Sequence, residues 1–328
     1  MRCPTPCSEL LYGVHQGSVL GPRLFSLYTR PLSDVIDTLN VGYHFYADDS
    51  QLYLAVNPRS AEDITSAVSR IEEAVSSIKI WMDKHYLKLN ESKTEILVVT
   101  RPTIHQTLPS FAIAGCTTSP SDQVRDLGVI FDSCFNLEVH VRKMCQTAFL
   151  HLRCISKIRS YLTMAQTKAL VVAHVLSRID YANGLLYGAP LKLIHLLQRV
   201  QNAAARVITR VTRFDHVTPL LKDLHWLPVH HRIQYKTALT AFDAVHGVAP
   251  VYLQDLVTEY TPSRPLRSSN DLLLSRRSAS LIRYGARAFE VGAPRVWNDL
   301  PRSLRACTDR ETFKKSLKTF YFKSAFNC

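Results

Sequence analysis

Two short runs of alternating apolar and polar residues meet at a pair of adjacent aspartates near the start of the chain. Phe45 and Ala47 set the alternation on one side, and Leu52 and Leu54 set it on the other. This pattern predicts two short β-strands, because alternate residues of a strand face the same side. We expect a hairpin whose turn is the Asp-Asp-Ser step at 48–50, with both carboxylates at its tip.

A long helix is predicted to follow the hairpin. Ser60 and Asp63 have the spacing of a capping box, and apolar residues then recur every three or four positions. These apolar positions are Ile64, Val68, Ile71, Val75, Ile78 and Met82. Further strands are predicted at 111–115 and 124–131. Together these elements predict an α+β layer, in which the helix packs one face onto a sheet.

From Leu137 onward the pattern becomes mainly helical, with two long apolar stripes. The stripes are Leu137, Val141, Cys145, Ala148, Leu152 and Ile155, then Leu193, Leu197, Val200, Ala204 and Val207. We interpret both as core and not as a cofactor site. Arg199, Arg206 and Arg210 accompany the second stripe, and basic helices suit a nucleic-acid duplex held by its phosphates.

Composition indicates a globular, intracellular protein. With 328 residues and 46% apolar content, the chain can form one large domain or two smaller ones. Its eight cysteines include no Cys-x-x-Cys pair, which indicates reduced thiols. The sequence shows neither a run of 18 apolar residues nor the layout of a signal peptide. We therefore expect a nuclear or cytoplasmic protein that is not secreted and has no membrane partner.

Charge is distributed unevenly along the chain. Residues 1–100 hold 9 Lys and Arg against 12 Asp and Glu, a net charge of −3. Residues 101–328 hold 31 against 15, a net charge of +16. A basic region of this size indicates a polyanionic partner, of which nucleic acid is the commonest. The alternative is a basic surface that only keeps the protein soluble.

Asp48 and Asp49 have two possible roles. Turns favour aspartate for local hydrogen bonding, so the pair can be solvated acids without further function. Alternatively, the pair binds Mg²⁺, a hard cation that takes carboxylate and phosphate oxygens together. Two such ions catalyse phosphoryl transfer by flanking the attacking and leaving oxygens.

The segment before the hairpin contains a glycine-bearing loop that leads into a helix. Gly13, Gln16 and Gly17 precede a predicted helix start, with Ser18 as a cap and Pro22 in the first turn. Glycine lets a backbone approach a bulky ligand closely, and the start of a helix directs amide hydrogens at anions.

Taken together, these segments resemble the reverse transcriptases of LINE-type (non-LTR) retrotransposons. The resemblance begins with the glycine loop "GVHQGSVLGPRLFSLY" and the hairpin "FYADDSQLYL". It continues with "WMDKHYLKLNESKTEILVV" at 81–99 and "VRDLGVIFDS" at 124–133, which is similar to the hairpin that grips the primer end. Later segments that resemble the family are "SRIDYANGLLYG", "LQRVQNAAARVIT", "LHWLPVHHRI" and "APRVWNDLP".

The resemblance implies a fold and a domain order. The fold class is α+β, a partial polymerase palm of the reverse transcriptase type followed by a mainly helical thumb and a C-terminal region. Residues 1–135 would be the partial palm, and residues 136–260 a basic helical thumb or connection. Residues 261–328 would form a small C-terminal region, reached through a segment rich in Pro, Ser and Arg.

The resemblance also implies roles for individual residues. Asp48 and Asp49 would bind Mg²⁺ or Mn²⁺, while Gln16, Gly17 and Tyr46 would lie near nucleotide and template. Lys93 would lie near the triphosphate and protonate the departing pyrophosphate, although an ordinary surface lysine is an equal alternative. The implied partners are an RNA template, a DNA primer or RNA–DNA hybrid, and deoxynucleotide triphosphates.

Several positions depart from the family pattern. His15 replaces the usual Pro, Arg23 an apolar residue, Ser50 the usual Thr, and Ala182 the usual Cys; none removes a catalytic group. A first catalytic motif with a metal-binding Asp is expected upstream of the glycine loop, and only Glu9 offers an acid there. We therefore expect a fragment that is inactive alone. It could be a piece of a larger reading frame, a nucleic-acid binder without catalysis, or a remnant that barely folds.

Overall fold

The computed structural model describes residues 17–100, 110–113, 116–212, 214–262, 272–279 and 285–327. The chain divides into two compact units. Unit 1 comprises Met1–Gly128 and Asp132–Cys134, and unit 2 comprises Val129–Phe131 and Phe135–Cys328. We describe each unit by itself. The assignment of residues 136–260 and 261–328 to a thumb and a small C-terminal region stays a prediction.

Unit 1 combines helices with small sheets. In chain order its elements are α1 (Gly21–Thr29), α2 (Leu32–Asp37), β1 (Gly42–Tyr46), β2 (Asp49–Tyr53), α3 (Ala61–Lys84), β3 (Phe111–Ile113), β4 (Cys116–Thr118) and β5 (Gln123–Asp126), followed by β6 (Val129–Asp132) at the division between the units. The described strands pair as β1–β2, β3–β4 and β5–β6, in three two-stranded sheets. The mixed helix and strand content that the sequence predicted is confirmed.

Helix α3 organises the core of unit 1. The Ser60 side chain accepts a hydrogen bond from the Asp63 amide at 3.1 Å, so the predicted helix start is confirmed. The residues that the helix buries are Ala67, Ala74, Val75, Ile78 and Trp81. They pack against α2, the hairpin and β3 in two apolar clusters. The helix therefore packs its predicted face, although the sequence reasoning missed Trp81.

The predicted strand at 124–131 is two strands with a turn between them. β5 ends at Asp126 and β6 begins at Val129, with Leu127 and Gly128 in the left-handed region at φ 44° and 83°. The separate interpretation of 124–133 as a hairpin is thus confirmed, while a single strand was wrong. The Leu-Gly step explains the difference, because glycine adopts a positive φ without steric cost.

Unit 2 is mainly helical. In chain order its helices are α4 (Glu138–Ile158), α5 (Met164–Val171), α6 (Ser177–Asp180), α7 (Leu191–Thr209), α8 (Val217–Asp223), α9 (Val229–Val245), α10 (Val251–Gln254), α11 (Phe289–Asn298), α12 (Arg302–Arg305) and α13 (Arg310–Phe326). A π-helix at Val172–Leu176 joins α5 to α6, and one-turn 3₁₀-helices lie at Arg159–Tyr161, Asn183–Leu186 and Gly285–Arg287.

Two apolar clusters form the core of unit 2. The first is built on α4 and α7, and it buries every residue of the two predicted stripes except Val207, which is partly buried. The second gathers α9, α11 and α13 around Phe242, Trp297 and Phe313. The Phe242 and Phe313 rings stack with centroids 4.3 Å apart. The interpretation of the stripes as core is confirmed.

Polar side chains fix the helices of unit 2 to neighbouring backbone. Gln201, fully buried on α7, donates from its side-chain nitrogen to the Leu227 carbonyl at 2.9 Å. Gln198 accepts from the Val229 amide, also at 2.9 Å. Asp180 at the end of α6 forms a two-point ion pair with Arg232 of α9. These contacts join segments that sequence reasoning could describe only as separate motifs.

Among the described residues, no helix combines the length and apolar character that crossing a bilayer requires.

Candidate active site

The β1–β2 hairpin presents both aspartates, but its turn differs from the prediction. Tyr46 pairs with Asp49 across the two antiparallel strands, which leaves Ala47 and Asp48 as the turn. Asp49 is therefore the first residue of β2, and the predicted Asp-Asp-Ser turn at 48–50 was wrong. The strand register explains this difference. Because the second strand already begins at Asp49, Ser50 lies inside the strand, opposite Phe45.

The turn holds Ala47 in the left-handed region at φ 54°. A non-glycine residue is uncommon there, and such conformations are concentrated at functional sites. Asp48 and Asp49 are both exposed at the tip, as is the neighbouring Tyr46, which is 67% exposed. The structure thus brings three predicted site residues together on one hairpin. Two solvent-facing carboxylates in this arrangement are ligands of the kind that a hard divalent cation takes.

The described residues provide this carboxylate pair but no larger cluster. No group of three or more His, Cys, Asp or Glu side chains lies close enough to hold a metal ion within the described part of the chain. The two carboxylates are therefore ligands of the chemical type that a divalent cation takes. They would be two of the ligands of its site.

The glycine loop is described from Gly17 onward, so Gln16 lies outside the described residues. Gly17 has φ +90°, a conformation that L side chains rarely adopt, and no atom of the described residues lies within 4 Å of where its Cβ would be. The Ser18 hydroxyl accepts from the Gly21 amide at 3.0 Å at the start of α1. The positive φ thus favours glycine at this position, and no described residue occupies the space beside it.

Lys93 lies on a one-turn 3₁₀-helix at Glu91–Lys93, and its side chain is exposed. Its amide donates to the Asn90 carbonyl at 3.1 Å. An ion pair between Lys79 of α3 and Glu91 anchors this turn, with 2.5 Å between nitrogen and oxygen. The turn therefore presents the Lys93 side chain to solvent from a fixed backbone.

The three predicted nucleic-acid-binding arginines have different environments. Arg199 is exposed on α7. Arg206 is half-buried and donates to the Asp215 carbonyl at 3.1 Å, whereas Arg210 ends the helix at φ 59° and donates to the Arg159 carbonyl at 3.0 Å. Arg206 and Arg210 thus also hold their own backbone. Because a carbonyl is neutral, each retains its positive charge.

Comparison with known proteins agrees with this geometry. Residues 9–131 match the family model described as reverse transcriptase (RNA-dependent DNA polymerase). The chain is 26% identical over 264 residues to the probable RNA-directed DNA polymerase from transposon BS of Drosophila melanogaster, covering 78% of this chain and 28% of that protein. It is 29% identical over 147 residues to the RNA-directed DNA polymerase from mobile element jockey of Drosophila funebris, covering 43% and 15% respectively.

Residues 9–131 thus form a reverse transcriptase domain, and the chain is homologous to RNA-directed DNA polymerases of Drosophila non-LTR retrotransposons. The matched segment contains the glycine loop, the aspartate hairpin, Lys93 and most of the β5–β6 hairpin. The chain spans only 28% and 15% of the length of these two relatives. No solved structure matches it.

Besides the α7 arginines, the chain has a basic surface on α4. Residues 139–214 contain 12 Lys and Arg and a single acid, Asp180, which is paired with Arg232. On α4 and the turn that follows it, Lys143, Arg153, Lys157 and Tyr161 recur at helical spacing and are exposed. We call these four residues the α4 face. Tyr161 is 88% exposed, and no ion pair neutralises the three cations within the described residues.

Sequence reasoning selected the α7 arginines and did not single out the α4 face. The signal that could have indicated the α4 face is the absence of acids over the helix after Glu138. Glu138 itself accepts from Arg142 and Lys192, which hold the pKa of its carboxyl below the usual range.

Proposed function

We propose that this chain supplies part of the catalytic machinery of a retrotransposon RNA-directed DNA polymerase. One observation carries the proposal: Asp48 and Asp49 stand exposed at the tip of a hairpin inside a segment that matches the reverse transcriptase model. Unit 1 would be part of the palm, and the basic helices of unit 2 would act as the thumb.

In the complete enzyme, Asp48 and Asp49 would hold Mg²⁺ or Mn²⁺. Family members generally use divalent metals. The bound cation would lower the pKa of the primer hydroxyl and stabilise the negative charge that develops on the phosphates. A centre that holds two cations needs carboxylates from more than one strand, so we propose that a further carboxylate of the polymerase completes this pair.

Other residues would position the substrates. Gly17, with open space beside its backbone, would let the nucleotide approach the loop, and Gln16 and Tyr46 would lie near nucleotide and template. Lys93 would give a proton to the departing pyrophosphate from its exposed turn. The α4 face and Arg199 would contact phosphates of the template–primer duplex.

Primer extension tests the proposal. The 328-residue chain should not extend a DNA primer on an RNA template with Mg²⁺ or Mn²⁺, because a two-metal centre needs carboxylates from more than one strand and the described residues bring only Asp48 and Asp49 together. Fusing an upstream family segment that carries the first Asp motif should create activity, and Asp48→Ala should abolish it in the fusion. The expected loss is at least about a thousandfold, as for a group that acts directly in catalysis.

A matched control is Asp63→Ala in the same fusion, since Asp63 is an exposed acid at the start of α3. Extension that survives Asp48→Ala would refute the assigned role. Extension by the isolated chain that is lost with Asp48→Ala would show that the pair is sufficient.

A second candidate function is nucleic-acid binding without catalysis. Residues 139–214 favour nucleic-acid binding, because they contain 12 Lys and Arg and only one acid. The positive charge of this segment does not depend on the aspartate hairpin. Tight binding by a fusion that never extends a primer would support this alternative.

A further inference from the structure

A side-chain hydrogen bond joins the aspartate hairpin to β5. Gln51 of β2 donates from its side-chain nitrogen to Oδ2 of Asp126 at 2.6 Å, across 75 residues of sequence. Both residues belong to unit 1, and both are half-buried. The short distance is typical of a hydrogen bond to a charged acceptor.

The register places Gln51 on the same face of β2 as Asp49. Residues two apart on a strand project to the same side, about 7 Å from each other. Gln51 pairs with His44 on the opposite strand. Two further residue pairs lie between this pair and the turn. A contact that fixes the Gln51 side chain therefore restrains the part of the strand from which Asp49 projects.

Asp126 is the last residue of β5, in the hairpin that resembles the primer grip. The described strands of the two hairpins lie in separate two-stranded sheets, so no backbone ladder joins these hairpins. Asp126 is also not part of a metal cluster with the tip aspartates, since the described residues contain no group of three such ligands. Its carboxylate is instead an acceptor for the amide of Gln51.

We propose that Gln51 and Asp126 form a positioning bridge that fixes the metal-binding hairpin relative to the primer-gripping hairpin. The bridge would keep the primer hydroxyl at a fixed position relative to the carboxylates that bind the metal. Misplacement of reacting groups by about 1 Å lowers the reaction rate on the order of a hundredfold. This inference rests on the proposed function of Asp48 and Asp49.

Hydrogen exchange in the full 328-residue chain tests the bridge itself. Asp126→Leu should accelerate amide exchange in residues 42–53, and Gln51→Leu should accelerate it in residues 123–132. The expected change is about tenfold, since a hydrogen bond to a charged group is lost. Asp126→Asn retains an acceptor oxygen and should stay near the wild type. If each variant changes only its own hairpin, no bridge couples them.

Steady-state kinetics in the fused polymerase test the positioning role. Gln51→Leu should lower kcat about tenfold or more while KM for the nucleotide and the thermal midpoint stay near the wild type. The double variant Gln51→Leu/Asp126→Leu should lose no more than either single change, because both remove one interaction. Asp126→Asn should largely rescue the rate.

The outcomes separate this inference from the function on which it depends. Activity that persists in Asp48→Ala would overturn the proposed function. If Asp48→Ala abolishes activity while Gln51→Leu leaves kcat unchanged, the bridge has no positioning role. If the thermal midpoint of Gln51→Leu falls enough to account for the whole loss of activity, the bridge stabilises the fold and does not position the catalytic groups.

Discussion

His231 of α9 has a buried ring nitrogen, Nδ1, for which the described residues provide no hydrogen-bond partner. Its ring meets the Tyr321 ring edge-on, with 6.1 Å between centroids. Burial, with a smaller contribution from the neighbouring His230, lowers the pKa of His231 below its usual value of 6.5. The folded chain therefore binds a proton at His231 less readily than the unfolded chain does.

This shift predicts a pH-dependent stability. The contribution of neutral His231 is fully present above about pH 6.5, the unfolded pKa, and is lost as the pH falls toward the lower folded pKa. His231→Phe should keep the ring packing and reduce the difference in unfolding free energy between pH 8 and pH 5, as measured in urea. His195→Gln is the control, because His195 is an exposed histidine on another helix and does not contribute to the pKa of His231. An unchanged pH dependence in His231→Phe would contradict the assignment.

At the scale of elements, unit 2 depends on amides that hold α7 to the segment before α9. The Gln198 side chain donates to Gln201 Oε1 at 2.9 Å and to Asn202 Oδ1 at 2.7 Å, which orients both amides of the network. Gln201 then reaches the Leu227 carbonyl. The helix position is thus set by directional bonds in addition to apolar packing.

Gln201→Leu tests this network. The change preserves side-chain volume but leaves the Leu227 carbonyl without this donor, so the chain should lose about 1–3 kcal/mol of unfolding free energy. His195→Ala on the exposed side of the same helix should change it by no more than about 0.5 kcal/mol. Denaturant unfolding measures both. Equal effects of the two substitutions would show that the amide network contributes nothing specific.

At the scale of the whole molecule, residues 1–100 and residues 101–328 have net charges of opposite sign. The −3 and +16 regions differ because the acids surround the aspartate hairpin while the bases follow residue 100. Within residues 139–214 the imbalance is strongest. A surface of this kind binds phosphates with little regard for sequence.

This predicts a salt-dependent affinity that depends on the α4 face. Replacing Lys143, Arg153 and Lys157 together by Gln should weaken binding of an RNA–DNA hybrid. It should also reduce the slope of log affinity against log salt by about 3, close to 0.9 for each lost phosphate contact. The control replaces the exposed Lys315, Lys318 and Lys323 of α13, which removes the same charge. A filter-binding titration in which both triple variants behave alike would contradict a localised surface.

The sequence alone determined the elements whose signals are local. The alternation around Asp48, the cap at Ser60 and the stripes of α4 and α7 predicted a hairpin and three helices, because periodicity records which face of an element is buried. The motif residues also indicated the resemblance to reverse transcriptases, and residues 9–131 match that family's model. These predictions needed only contacts between near neighbours in the chain.

Tertiary structure decided what depends on register and on distant partners. The pairing of Tyr46 with Asp49 moved the turn to Ala47 and Asp48, and the bond from Gln51 to Asp126 spans 75 residues. Likewise, Arg206 and Arg210 bind backbone carbonyls, while Lys143, Arg153 and Lys157 are exposed and have no such contact among the described residues. A single sequence shows that a residue is charged or polar. Which group that residue binds is determined only when packing brings separate segments within hydrogen-bonding distance.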